Sequence, residues 1–182
     1  NGGACFNGTS PYSGQVSRLD GPSFASITPI VSGLPVSNHD HGVNALFFDN
    51  SGDLLIAQGG NTNAGVAGDC DLGELPESPL SAAILKANLT KPGFNGSITY
   101  RSTATGQIQN DQNFGESVDV APGVDVTVLA PGFRNPFDIV LNTEGRLYAT
   151  DNGPNAGFGA ASTSATTQAP DPTAPDEAVR VV

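Results

Sequence analysis

The stretch Ala130-Pro-Gly-Phe-Arg-Asn-Pro-Phe-Asp-Ile-Val-Leu-Asn-Thr-Glu-Gly-Arg-Leu-Tyr-Ala-Thr-Asp-Asn-Gly-Pro154 decides the fold. It reads as strand, tight turn, strand. Residues 137–141 are apolar and β-branched enough to be buried on both faces. Asn142-Thr-Glu-Gly145 is a polar turn closed by glycine, and residues 146–150 run back. Arg134 and Asn135 stand just before the first strand, between Gly132 and Pro136, and Asp151-Asn-Gly-Pro154 closes the second. Polar groups at both ends of a rigid hairpin point to a mouth where something binds.

The same pattern occurs upstream. Asn44-Ala-Leu-Phe-Phe48, Asp49-Asn-Ser-Gly52 and Asp53-Leu-Leu-Ile-Ala57 form a second strand-turn-strand, and Gly52 falls on Gly145 at an offset of 93 residues. Repeats of the propeller kind run about 40–50 residues, so this offset reads as two units, with a middle one between. Residues 83–89, 97–100 and 124–129 are its expected strands. Residues 15–19 and 25–34 are strands before the first hairpin, and 37–42 is a polar loop. A second echo places a basic residue inside an apolar strand at Arg18, Lys86 and Arg180. Residues 160–175 contain no large apolar side chain and read as a mobile linker with O-glycosylation potential. The division is therefore 1–159 repeat units, 160–175 flexible loop, and 176–182 the start of the next unit's strand.

Composition agrees with an all-β chain. There are 23 Gly and 14 Pro, with no Met and no Trp, so turn formers separate short apolar runs. Seven Lys and Arg against 18 Asp and Glu give a net charge of −11, a field that repels phosphate backbones and excludes nucleic acid as a partner. No apolar run approaches the ~20 residues that span a bilayer. Three sequons, at Asn7, Asn88 and Asn95, together with only two cysteines, point to a secreted glycoprotein in which Cys5 and Cys70 form one disulfide.

Arg134-Asn-Pro136 and Asn152-Gly-Pro154, with Asp40-His41 upstream, resemble the PQQ-dependent glucose/sorbosone dehydrogenase family of six-bladed β-propellers. The likeness covers about 36–154 and, more weakly, 176–182. It implies four-stranded antiparallel blades, about three of the six being present, with the rest supplied by further sequence or by other chains. It also implies roles. His41 matches the general base that takes a proton from a sugar hydroxyl, while Arg134, with Asn135 beside it, matches the arginine at the quinone oxygens of PQQ. Gly153 and Pro154 match the carbonyls that hold a calcium ion, a hard cation suited to oxygen ligands. The family sets a carboxylate after the next strand to orient the histidine, and alignment from His41 puts Gly60 there.

Each of these residues also has a plainer reading. His39 and His41 are ordinary polar-loop histidines, or a metal pair short of a third ligand. Arg134 bonds carbonyls at a sheet edge, and Asp151-Asn-Gly-Pro154 is only a turn. Asp69-Cys-Asp-Leu-Gly-Glu74 alternates oxygens as calcium loops do, without the full spacing of one. A base that has lost its orienting acid loses orders of magnitude in rate. The favoured reading is thus an extracellular propeller module with a structural, adhesive or carbohydrate-contacting role. The alternative is an active PQQ- and calcium-dependent sugar dehydrogenase.

Overall fold

A computed structural model describes residues 8–38, 40–63, 65, 67, 74–154 and 175–181. Cys5, Cys70, Asn7, His39 and residues 160–174 of the expected linker lie outside the described residues. The strands, in chain order, are β1 (Gly14–Asp20), β2 (Ser26–Leu34), β3 (Val43–Phe48), β4 (Leu54–Gln58), β5 (Ala83–Ala87), β6 (Tyr100–Ser102), β7 (Val118–Val120), β8 (Val126–Pro131), β9 (Pro136–Leu141), β10 (Leu147–Asp151) and β11 (Glu177–Val181). The protein is all-β, with antiparallel sheets and, among the described residues, two short 3-10 turns, Pro22–Phe24 and Gln112–Ser117. Among the described residues no helix is long and apolar enough to cross a membrane.

The sheet β3-β4-β5-β8 forms the middle layer. Its strand β4 is buried throughout, and the period-2 alternation of a strand splits its side chains between two cores. Leu54 and Ile56 face one core with Val16, Val31 and Leu34 of the β1-β2 hairpin and Tyr100 and Val118 of β6-β7. Leu55 and Ala57 face the other, with Ile139, Leu147 and Ala149 of the β11-β10-β9 sheet. Each fully buried Leu or Ile contributes about 1.5–3 kcal/mol, so β4 ties three layers together. Tyr12 stacks on Tyr100 at 3.6 Å between ring centroids and closes the first core at its edge.

The two hairpins read from the sequence repeat in structural detail. Leu46↔Ile56, Phe47↔Leu55 and Phe48↔Leu54 in one correspond to Ile139↔Ala149, Val140↔Tyr148 and Leu141↔Leu147 in the other. Both carry an irregularity at the same place, beside the Val43↔Gln58 and Pro136↔Asp151 pairs. In each turn the glycine amide donates to the first residue's carbonyl, Gly52 to Asp49 and Gly145 to Asn142. The Asp49 and Asn142 side chains accept from backbone amides inside their own turns. Both glycines sit in the left-handed region, at φ 88° and 77°, which a side chain would strain.

Three expectations change. Among the described residues there is no separate middle sheet: Ala83–Ala87 and Val126–Pro131 join the first hairpin as its third and fourth strands, so the 93-residue offset is one sheet to the next. Between them, residues 97–100 contribute mainly through Tyr100, the first residue of β6, which pairs with β7 in a small insert. Residues 137–141 are buried on one face only, Phe137 and Val140 being 60% and 54% exposed, because no described layer covers β9 on that side. Glu177–Val181 does not begin a further sheet; it pairs with β10 and becomes the third strand of the sheet already started. Asn88 and Asn95 are exposed at turns, as their sequons require.

Candidate functional site

Antiparallel order brings the leads into β3, β5, β9 and β11 and the exits of β4, β8 and β10 to one end of the layered sheets. There a groove of about 320 Å³ opens, lined by residues that include Asn63, Glu77, Phe133, Arg134, Asp151 and Asn152. Gly153 and Pro154 also line it, on the same groove as Arg134.

Asp151 builds this end of the site. Its carboxylate accepts from the Arg134 amide at 3.0 Å and the Asn135 amide at 2.8 Å, which fixes the lead into β9. The Arg134 guanidinium turns onto Asn63, Nε donating to its carbonyl and Oδ1 at 3.1 Å and Nη2 to Oδ1 at 2.8 Å. Asn135 is buried, and its Oδ1 accepts from Asn44 Nδ2 at 2.6 Å, tying β9 to β3 across the layers. The Gly153 amide donates to Asp176 Oδ1 at 3.0 Å, which brings the lead into β11 to the same place.

His41 is not among the described residues that line this groove, although its partner Gly60 is hydrogen-bonded to the Arg134 carbonyl beside it. It is 5% exposed. Its Nδ1 stands 2.9 Å from the Gly60 carbonyl. A carbonyl only accepts, so Nδ1 carries the proton and Nε2 keeps its lone pair. Burial holds the imidazole below the ordinary histidine value, the Gly60 carbonyl opposing this and the Arg134 charge reinforcing it. Gly60 is the position that aligns with the family's acid. It orients His41 through its backbone, while its own amide donates to the Arg134 carbonyl at 2.8 Å. A backbone carbonyl, and not a carboxylate, thus fixes the His41 tautomer.

The space beside Gly60 is filled by a carboxylate that sequence reading missed. A Cβ on Gly60 would fall 2.9 Å from Glu77 Oε1 and 3.0 Å from the Arg134 carbonyl oxygen. Glu77 accepts from the amides of Asn61 and Thr62, each at 3.0 Å, from Thr62 Oγ1 at 2.6 Å and from Ser81 Oγ at 2.5 Å. It is an anchor for the 60–63 loop. The signal for it was a lone acid in Pro76-Glu-Ser-Pro79, directly before β5. Gly59 is as tightly placed: a Cβ there would lie 2.6 Å from Asn135 Oδ1. Ala82, also on the groove, is held at φ 54°, a left-handed conformation that costs on the order of 1 kcal/mol and that packing enforces.

The donor set decides which groups fit. The titratable side chains lining the groove are Glu77, Asp151 and Glu177 against Arg134. PQQ carries several carboxylates and would meet three acids for one guanidinium already turned onto Asn63, so the described residues do not fit it. Among the described residues no group of three or more His, Cys, Asp or Glu converges as a metal site. No protein-family model matches the chain, and no curated protein or solved structure matches it.

Proposed function

We propose that this chain is part of an extracellular, N-glycosylated β-propeller module that contacts carbohydrate or protein at its end groove without turning it over. Successive sheets with one register, one irregularity and one turn support the propeller, since stacked like units are how such folds bury their faces. The exposed sequons Asn88 and Asn95 support the extracellular setting. The remaining blades, from the same polypeptide or another, are its expected partners.

The observation that carries the non-catalytic reading is that His41 is buried and does not line the groove that Arg134, Asn63 and Asp151 line. Amide, guanidinium and carboxylate groups beside the ring of Phe133 suit a polyol, which pairs hydroxyls with planar polar groups and lays its C–H face on an aromatic. The acid excess disfavours a polyanion. Binding to an array of neutral and acidic glycans tests the reading. Retention on neutral glycans, lost in Asn63→Ala, is expected, and preference for sulfated or sialylated ones would overturn it.

The second reading, a PQQ- and calcium-dependent sugar dehydrogenase, draws on one observation. The Gly60 carbonyl leaves His41 Nε2 as a free base beside the Arg134 segment.

A further inference from the structure

The β1-β2 hairpin has the pairing of the outer half of the middle sheet. In β5-β8 the pairs are Ala87↔Val126, Lys86↔Thr127 and Leu85↔Val128, then an irregularity, then Ile84↔Ala130. In β1-β2 they are Leu19↔Ile27, Arg18↔Thr28 and Ser17↔Pro29, then an irregularity, then Val16↔Val31. The basic residue, its threonine partner and the bulge all coincide. β1 and β2 are therefore third and fourth strands of a sheet whose first and second strands are not among the described residues, and among those residues β1 pairs on one side only.

An independent observation marks the same vacancy from the next layer. Leu46 and Phe48 pair with Ile56 and Leu54, so they share the face that meets the β1-β2 layer. Yet Leu46 is 49% and Phe48 63% exposed, whereas Ile139, at Leu46's position in the next sheet, is 4% exposed. The difference is what covers each. Ile139 lies under Phe47, Leu55 and Ala57, which belong to the first and second strands of the preceding sheet. Over Leu46 and Phe48 those two strands are lacking among the described residues.

We infer that β1 and the Leu46-Phe48 face together receive a β-hairpin of this same repeat, supplied by polypeptide outside these 182 residues. Its second strand pairs antiparallel with the free edge of β1, and its apolar residues at the positions of Phe47 and Leu55 cover Leu46 and Phe48. The N-terminal hairpin is then half of a sheet shared with a distant stretch, a clasp that makes the layered stack continuous. The inference shares the sheet repeat with the propeller reading and uses nothing of the groove.

The test titrates the 182-residue protein with a synthetic peptide of the Val43–Gln58 sequence, read by fluorescence anisotropy and by hydrogen exchange. Saturable one-to-one binding is expected, with slowed exchange in Gly14–Asp20 and Val43–Phe48. Leu46→Asp with Phe48→Asp should weaken it at least tenfold while leaving the melting temperature near that of the parent. Arg134→Ala should bind the peptide unchanged, so loss of glycan binding and loss of peptide binding report separately. Absence of binding overturns the inference, as does protection elsewhere, on β11 or the Val140 face. A dimer that protects β1 without peptide also overturns it, in favour of a second copy.

Discussion

Replacing Asp151 by alanine removes the clamp on the lead into β9. Both carboxylate oxygens accept a backbone amide, Arg134's at 3.0 Å and Asn135's at 2.8 Å. Hydrogen bonds to a charged group contribute about 1.5–3 kcal/mol each. Asp151 is only half-buried, so water replaces part of each bond when the side chain goes. The expected loss is about 2–4 kcal/mol. At about 2–4 °C per kcal/mol for a chain of this size, the melting temperature should fall by about 5–15 °C. Asp151→Asn keeps one acceptor but turns an amide N–H toward the other backbone N–H, and should recover half of the loss at most. Thermal and urea unfolding followed by circular dichroism measure both. A loss under about 0.5 kcal/mol in Asp151→Ala, or a neutral Asp151→Asn, would refute the clamp.

Ile56→Ala, at a fully buried position between the first two layers, should cost about 2–5 kcal/mol in urea unfolding, while Leu46→Ala at its half-exposed register partner should cost well under half as much. Equal costs would contradict the layer order. Burial depresses the His41 value below 6.5, so the fold binds fewer protons there than the unfolded chain and stability is lost as pH falls below that ordinary value. Urea midpoints at about pH 7.5 and 5.5 should separate more in the parent than in His41→Gln, and identical pH dependence would sink the buried neutral imidazole. In material secreted from a eukaryotic host, peptide mass mapping should find more glycan at Asn88 than at Asn95, whose Nδ2 already donates to the Gly123 carbonyl at 3.0 Å. Unmodified asparagine at both would count against the extracellular reading.

Hairpins were legible in the sequence because they are local. Asn142-Thr-Glu-Gly145 and Asp49-Asn-Ser-Gly52 each announce a turn, and the apolar runs beside them fix register through a period of two. Sheet membership was not legible. β5 pairs with β8 across the inserted β6-β7, and nothing in the alternation of residues 83–87 says which strand 40 residues on will be its neighbour. Residues 137–141 read as buried on both faces because composition reports how apolar a strand is, not whether a layer covers it. At the site, Arg134, Gly153 and Pro154 line one groove. The orienting partner of His41 was invisible because it is a backbone carbonyl. Glu77 stood in a proline-flanked loop with no motif, and reached the site through chain folding alone.

The central claim is that the groove binds without turnover, and dye reduction tests it most directly. The complete protein is incubated with PQQ, calcium and a panel of aldoses, and reduction of an artificial acceptor is followed beside its His41→Ala variant. The account expects both to match buffer, since the base candidate is buried and does not line the groove, and three carboxylates face a polyanionic cofactor. Sugar-dependent reduction in the parent that vanishes in His41→Ala would contradict it and establish the dehydrogenase.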